Sequence, residues 1–424
     1  MPQPTGVQAL VRRTHEDRVL QVLREHGGLT RGELAAHIGL SRTTLSEITA
    51  SLLARGVISV SSPSEPLPGR GRPAETLQLD PSAGQYIGVD FRHSVVRVAV
   101  ANAARELIAS DVAGYESTQG WDGRLTVALQ LIEEMPRRHG VHLSSVLGVA
   151  VGLPGPFSPR VPRDESEPIA EARRAGAERV RAAFRHRFGT EVILDNNTRL
   201  AALAEAAWRP TEGVGDLLYI RLSYGIGGGL VIDGRLVAGS TGLAGEFGHL
   251  PVGDASAPCR CGKRGCLETI ASIDAILDAC REAGVQVGTL ADVEQAAAKG
   301  DPLVLGVLRA AGSAVGKVLG SLAVALNPAE IVIGGEVAMA SDVIVAQIAE
   351  TVTYELLPVG QYGPLIRRTD LGDEGGAIGG IIALLRRTPL LTDYPNTAPS
   401  DAPPEGTTRR TPIMTTPAYR GGRR

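Results

Sequence analysis

Cysteine is scarce in this chain: four in 424 residues, three of them within positions 259–266. That is too few for a disulfide framework, and the crowding points to another use. Lysine is nearly missing, with only Lys263, Lys299 and Lys317, so arginine carries almost all positive charge. Aromatic residues make up 4% of the chain. No run of about 18 uninterrupted apolar residues occurs, so no membrane-spanning helix and no membrane partner are expected. Met1 to Arg13 lacks the apolar stretch and cleavage site of a signal peptide, and a cytoplasmic location is expected. A net charge of −3 excludes a uniformly basic nucleic-acid coat.

What is abundant is glycine, at 52, within an ordinary 43% hydrophobic content. The length suggests two to four domains with cores of their own. Charge is uneven along the chain. Residues 1–80 carry 9 Arg against 8 acids, and residues 385–424 carry 7 Arg against 3 acids, which leaves −8 for residues 81–384.

The first segment reads as three helices. Val19, Val22 and Leu23 mark an amphipathic helix that stops at Gly27-Gly28. Thr30 and Glu33 form a capping box that opens a short helix through His37. Gly39 sits where a tight turn needs a positive φ, and Ser41 caps a third helix with Leu45, Ile48 and Leu52 on its inner face. The outer face is expected to show Arg42, Thr43, Ser46 and Thr49. Helix, short turn and helix with a small polar N-terminus is helix-turn-helix geometry. Two strands, residues 56–60 and 76–79, flank the basic stretch Gly69-Arg70-Gly71-Arg72-Pro73, which reads as a wing. Ser41, Arg42, Thr43, Thr44 and Ser46 are thus candidates for the major groove and its phosphates, and Arg70 and Arg72 for the minor groove. The expected partner is a double-stranded DNA operator.

From residue 84 onward strands and helices alternate, so an α/β body is expected. Strands are read at Tyr86–Val100 (two, the first ending at Asp90), Val146–Val151, Val192–Leu194, Leu217–Leu222, Leu230–Ile232 and Ile331–Ile333. A helix spans Leu200–Trp208, and Gly225 to Gly229 is read as a turn.

Taken together, Leu29–Ala35, Gly71–Ala74, Gly225–Leu230, Ala244–His249, Cys259–Glu268 and Asn327–Gly335 make the chain, from about Val11 to Leu385, resemble the ROK family (repressors, open reading frames, kinases). The resemblance implies a winged helix-turn-helix at 1–80, then a two-lobed actin-like or hexokinase-like (ribonuclease H-like) body. Its first lobe would span 84–200. The second would span 201–385, its last helix returning to the first lobe. Residues 386–424, rich in Thr, Pro and Arg, read as a disordered tail.

His249 and Cys259-x-Cys261-x4-Cys266 suit a closed tetrahedral Zn²⁺ site, as in the family's zinc motif. The metal would be structural, pinning the loop that carries Glu246 and His249. The resemblance further implies that Glu246, His249 and Glu268 contact sugar hydroxyls, with Asn196 and Asn197 beside them. A metal-bound His249 would have to use its other ring nitrogen.

The resemblance also exposes two losses. The family's kinases carry Asp-x-Gly-Gly-Thr where this chain has Asp90-Phe91-Arg92-His93-Ser94, so the glycines that cradle ATP phosphates are gone. The family's catalytic Asp position is Asn197, which cannot accept a proton at neutral pH. No catalytic residue and no ATP are therefore expected. A third departure lies between Gly155 and Val192, where the family's Asn-Leu-x-x-Trp segment is replaced. It leaves open an altered effector or none. The reading is a sugar-responsive DNA-binding repressor acting as a homodimer or dimer of dimers. The rivals are a sugar kinase with a DNA-binding head and a ligand-independent DNA-binding regulator.

Overall fold

The computed structural model describes residues 7–61, 75–80, 84–143, 146–157, 168–208, 215–253, 255–356 and 363–387. The wing arginines Arg70 and Arg72, part of the divergent segment after Gly155, and the tail from residue 388 lie outside the described residues.

The head runs α1 (Val7–His26), β1 (Leu29–Thr30), α2 (Arg31–Ile38), α3 (Arg42–Ala54), β2 (Ile58–Ser61) and β3 (Thr76–Leu79), with sheet order β1-β3-β2. Local chemistry sets each boundary. Thr30 and Glu33 make the reciprocal capping box of α2. Gly39 ends α2 at φ 71°, and the Ser41 hydroxyl accepts the Thr44 N–H to start α3. Leu23, Leu34, Leu45, Leu52 and Leu77 are buried between the elements. Buried Glu16 is held by Arg12 at 3.3 Å and Arg55 at 3.0 Å, tying α1 to the end of α3. Thr49 departs from expectation. It is 1% exposed, with its hydroxyl donating to the Ser46 carbonyl, because it follows Ile48 around the buried side of the helix.

The body contains two sheets of the same topology. The first lobe has β4 (Gln85–Phe91), β5 (Val95–Asn102), β6 (Leu107–Gly114), α4 (Trp121–His139), β7 (Val146–Leu153), α5 (Pro168–Phe188) and β8 (Glu191–Asn196), in sheet order β6-β5-β4-β7-β8. After α6 (Asn197–Ala207), the second lobe has β9 (Leu217–Leu222), β10 (Ile226–Ile232), β11 (Arg235–Leu236), α7 (Glu268–Ala271), α8 (Ile273–Glu282), α9 (Leu290–Ala298) and α10 (Pro302–Leu326). It continues with β12 (Glu330–Gly334), α11 (Glu336–Ala340), α12 (Asp342–Glu355), β13 (Leu365–Arg368) and α13 (Gly375–Leu385). Its sheet order is β11-β10-β9-β12-β13. In each lobe three antiparallel strands are extended by two parallel ones on the side of the first strand.

Helices α6 and α13 cross between the lobes. The crossing requires glycine: a Cβ on Gly379 would overlap the Leu200 carbonyl, and one on Gly88 would overlap the Ala377 carbonyl. α13 is thereby seated on the first sheet, although β13 precedes it in the second.

Two elements differ from the sequence reading. Gly227, Gly228 and Gly229 are not a turn but the heart of β10, paired with β9. Without side chains there, Thr198 and Ala202 of α6 press on Gly227 and Gly229, while the Phe247 ring takes the space over Gly228. Helix α10, long and apolar enough by length and composition to cross a membrane, was not foreseen because Gly, Ser, Arg309 and Lys317 interrupt its apolar run. It is a core helix: Val304, Leu308, Val315 and Leu319 are buried, and Gly312, Gly316 and Gly320 receive α12 closely.

Candidate effector cavity, metal cluster and reading helix

A cavity of about 360 Å³ opens between the lobes. It gathers residues from distant parts of the chain: Asn196 and Asn197 at the start of α6, Glu246 and His249 from the loop after β11, and Glu268 at the start of α7. The loop lies flat on β10 because its glycines permit it. A Cβ on Gly245, at φ 96°, would overlap the Gly228 carbonyl, and one on Gly248 would overlap that of Ile226. Burial holds the Glu246 carboxyl above its ordinary range, with the Arg199 guanidinium pulling the other way.

The five expected contacts are not equivalent. The Asn196 side chain caps α6, its oxygen accepting the Thr198 and Arg199 N–H groups while its amide donates to the Gly155 carbonyl. Asn197 donates to the Phe91 carbonyl at 3.0 Å and accepts from the Thr198 hydroxyl. Both line the cavity, but their polar atoms already position the two lobes. Glu268 is gripped by Arg260, Nε to Oε1 at 2.7 Å and Nη2 to Oε2 at 2.9 Å, and also accepts the Ile226 N–H. Glu246 and His249 remain the most open to a ligand.

Four arginines were not foreseen as cavity residues: Arg92, Arg173, Arg221 and Arg260. Arg260 lies between two of the clustered cysteines, a position that could have flagged it. A fifth, Arg199, does not line the cavity but clamps it. Its guanidinium bonds Asp195, the Phe157 carbonyl and the Gly242 carbonyl, joining the end of β8 to the loop that leads into Glu246. Asp195 is therefore held in an ion pair rather than free to act as a base.

The ligand atoms of His249, Cys259, Cys261 and Cys266 all lie within 4.8 Å of one another. His249 Nδ1 faces the Cys259 sulfur at 3.6 Å, which leaves Nε2 for the cavity. Burial lowers the His249 pKa, favouring the neutral form that a metal requires. Burial also pushes the Cys266 thiol up to about 12, a cost that a central cation removes. Three sulfurs and one imidazole nitrogen in this arrangement fit a tetrahedral metal ion. Cys280 lies apart, buried in the core around α8.

On α3, Ser41, Arg42, Thr43 and Ser46 are exposed, and Thr44 is half-buried with its hydroxyl 2.8 Å from that of Ser41.

Residues 86–387 match the ROK family, and residues 16–59 match a winged helix-turn-helix DNA-binding family. The chain belongs to the ROK family. It is 31% identical over 316 residues to a glucokinase of Halalkalibacterium halodurans, covering 70% of this chain and 93% of that one. It is 24% identical over 404 residues to a xylose repressor of Caldicellulosiruptor bescii, covering 92% of this chain and all of the repressor. The crystal structure of a ROK family transcriptional regulator, a homolog of the Escherichia coli Mlc protein, superposes with a TM-score of 0.69 at 25% identity, covering 89% of this chain and 96% of that one. The glucokinase match covers 70% of this chain, whereas the two regulators cover 92% and 89% of it. Within the ROK family this chain therefore combines the reading head with the two-lobed body.

Proposed function

We propose that this ROK protein is a DNA-binding transcriptional repressor that senses a sugar or sugar derivative between its lobes and does not phosphorylate it. The observation that carries the reading is the pairing of an intact helix-turn-helix with a sugar-type cavity whose kinase parts are replaced. α3 presents Arg42 and a row of hydroxyls, the chemistry that contacts base edges and phosphates. Since one reading helix covers a half-site, the protein binds as a dimer on a two-fold operator, in the cytoplasm where that DNA lies. His249, Cys259, Cys261 and Cys266 hold a structural Zn²⁺ that keeps Arg260 on Glu268 and the Glu246 loop in place.

Genome-wide footprinting followed by binding assays on the recovered sites tests the reading. The expected result is specific binding that weakens when the right sugar is added, since a ligand shifts an equilibrium only through differential affinity. Specific binding unchanged across a broad carbohydrate panel would leave a ligand-independent regulator.

The glucokinase match favours one rival, a kinase with a DNA-binding head. Asn197 at the base position, Asp195 paired with Arg199, and side chains in place of the phosphate glycines all weigh against it. Incubation with Mg-ATP and a sugar panel should give no sugar phosphate. Turnover that disappears in Asp195→Asn would reinstate the kinase.

A further inference from the structure

The two residues that stand where the family's kinases have phosphate-binding glycines are not idle. Arg92 is 6% exposed and lies at the end of β4 in the first lobe. Its Nε donates to Asp90 Oδ2 at 2.8 Å, its Nη1 meets Asp373 Oδ1 at 2.5 Å, and its Nη2 bonds the Asp373 carbonyl. Asp373 belongs to the segment by which the chain leaves the second lobe after β13. From the other side, Arg221 of β9 reaches the same Asp90 Oδ2 at 3.8 Å and Glu336 at 3.6 Å. Beyond them, the His93 ring stacks on the Tyr224 ring, with centroids 3.9 Å apart and planes 17° apart. His93 is on the β4–β5 turn and Tyr224 on the β9–β10 turn, the two hairpin turns that face each other across the cleft.

We propose that Arg92 and His93 form an interlobe latch that occupies the nucleotide-phosphate place and holds the lobes together with no ligand bound. A carboxylate this deeply buried needs its cationic partners, and separating the lobes would strip Asp90 of Arg221 and His93 of Tyr224. The stack adds an apolar and π contact that glycine could not make. Both guanidiniums are already engaged by carboxylates, and the Arg92 and His93 side chains fill space that glycines would leave open to phosphate. The latch forms one wall of the cavity that Glu246 lines, since Arg92, His93 and Tyr224 are among its lining residues. This inference is independent of which effector binds.

Hydrogen exchange read by mass spectrometry on the full chain tests it. Peptides over 90–96 and 221–227 should be protected in the wild type, with no change on adding 1 mM Mg-ATP, about the upper range of enzyme affinities for substrates. In Arg92→Gly/His93→Gly both peptides should exchange faster by on the order of tenfold, while the head over residues 16–59 stays as it was. Tyr224→Ala, which leaves every charge in place, should loosen the same two turns by a smaller factor. Wild-type exchange rates at both turns in both variants would overturn the latch, as would slowing of the 90–96 peptide by Mg-ATP. Should the double variant unfold globally, Tyr224→Ala decides alone.

Discussion

At the scale of single residues, the most informative side chains are those whose neighbours contradict a simple assignment. Asn197 reads from sequence as a lost catalytic base, and the structure adds that it fastens the start of α6 to the Phe91 carbonyl of the first lobe. Glu246 is the opposite case, a carboxyl that the fold keeps partly buried and without a close ion pair among the described residues. Its folded pKa is raised above the unfolded value, so its ionised form costs stability once the pH exceeds the ordinary carboxylate range. Glu246→Gln should therefore melt a little higher than wild type near pH 7. The two should converge as the pH falls below that range, where both side chains are neutral. A thermal-melting series from pH 4 to pH 8 checks the sign. The same substitution should weaken binding of any sugar that depends on this carboxylate. On the reading helix, Arg42 is exposed and free of structural duty among the described residues. Arg42→Ala should weaken operator binding by about 1–3 kcal/mol while leaving the melting temperature unchanged.

At the scale of elements, much was legible. The capping box at Thr30, the turn at Gly39 and the cap at Ser41 are local chemistry, and the head follows them residue for residue. Ser41→Ala should cost the head about 1 kcal/mol, measurable by chemical denaturation. Strands β9 and β12 were equally readable, because buried parallel or central strands are short apolar runs bounded by glycine or polar residues. The glycine run of β10 was not. Three consecutive glycines read locally as a turn, and only the arrival of α6 on one face and Phe247 on the other explains a strand without side chains. Gly228→Ala should accordingly cost about 1–3 kcal/mol, since the added methyl overlaps the Phe247 ring. It should also displace the Glu246 loop, seen as lost ligand binding in a variant that still folds.

At the scale of the whole molecule, the head, the two lobes and the metal cluster divide the work. The cluster joins the Glu246 loop to the start of α7 through His249 and Cys266, and Arg260 between its cysteines reaches into the cavity. Purified protein should hold about one zinc per chain by elemental analysis. Removing it with a chelator should lower the melting temperature and loosen residues 244–268 in hydrogen exchange before the head is affected. Freely titratable thiols with no metal content would refute the site. The uneven charge fits the same division: an acidic body leaves DNA contact to the arginine-bearing head.

The sequence by itself determined the reading head, the alternation of strands and helices, the clustering of His249 with three cysteines, and the side chains at positions 92, 93 and 197. Each of these is written in short-range spacing or in the identity of one side chain. Only the tertiary structure decided which groups these side chains meet. Arg92, Arg199, Arg221 and Arg260 are scattered over 169 positions and carry no periodic signal. The fold brings each of them against a carboxylate at or beside the cleft, because a charge enclosed between two lobes must be paired there.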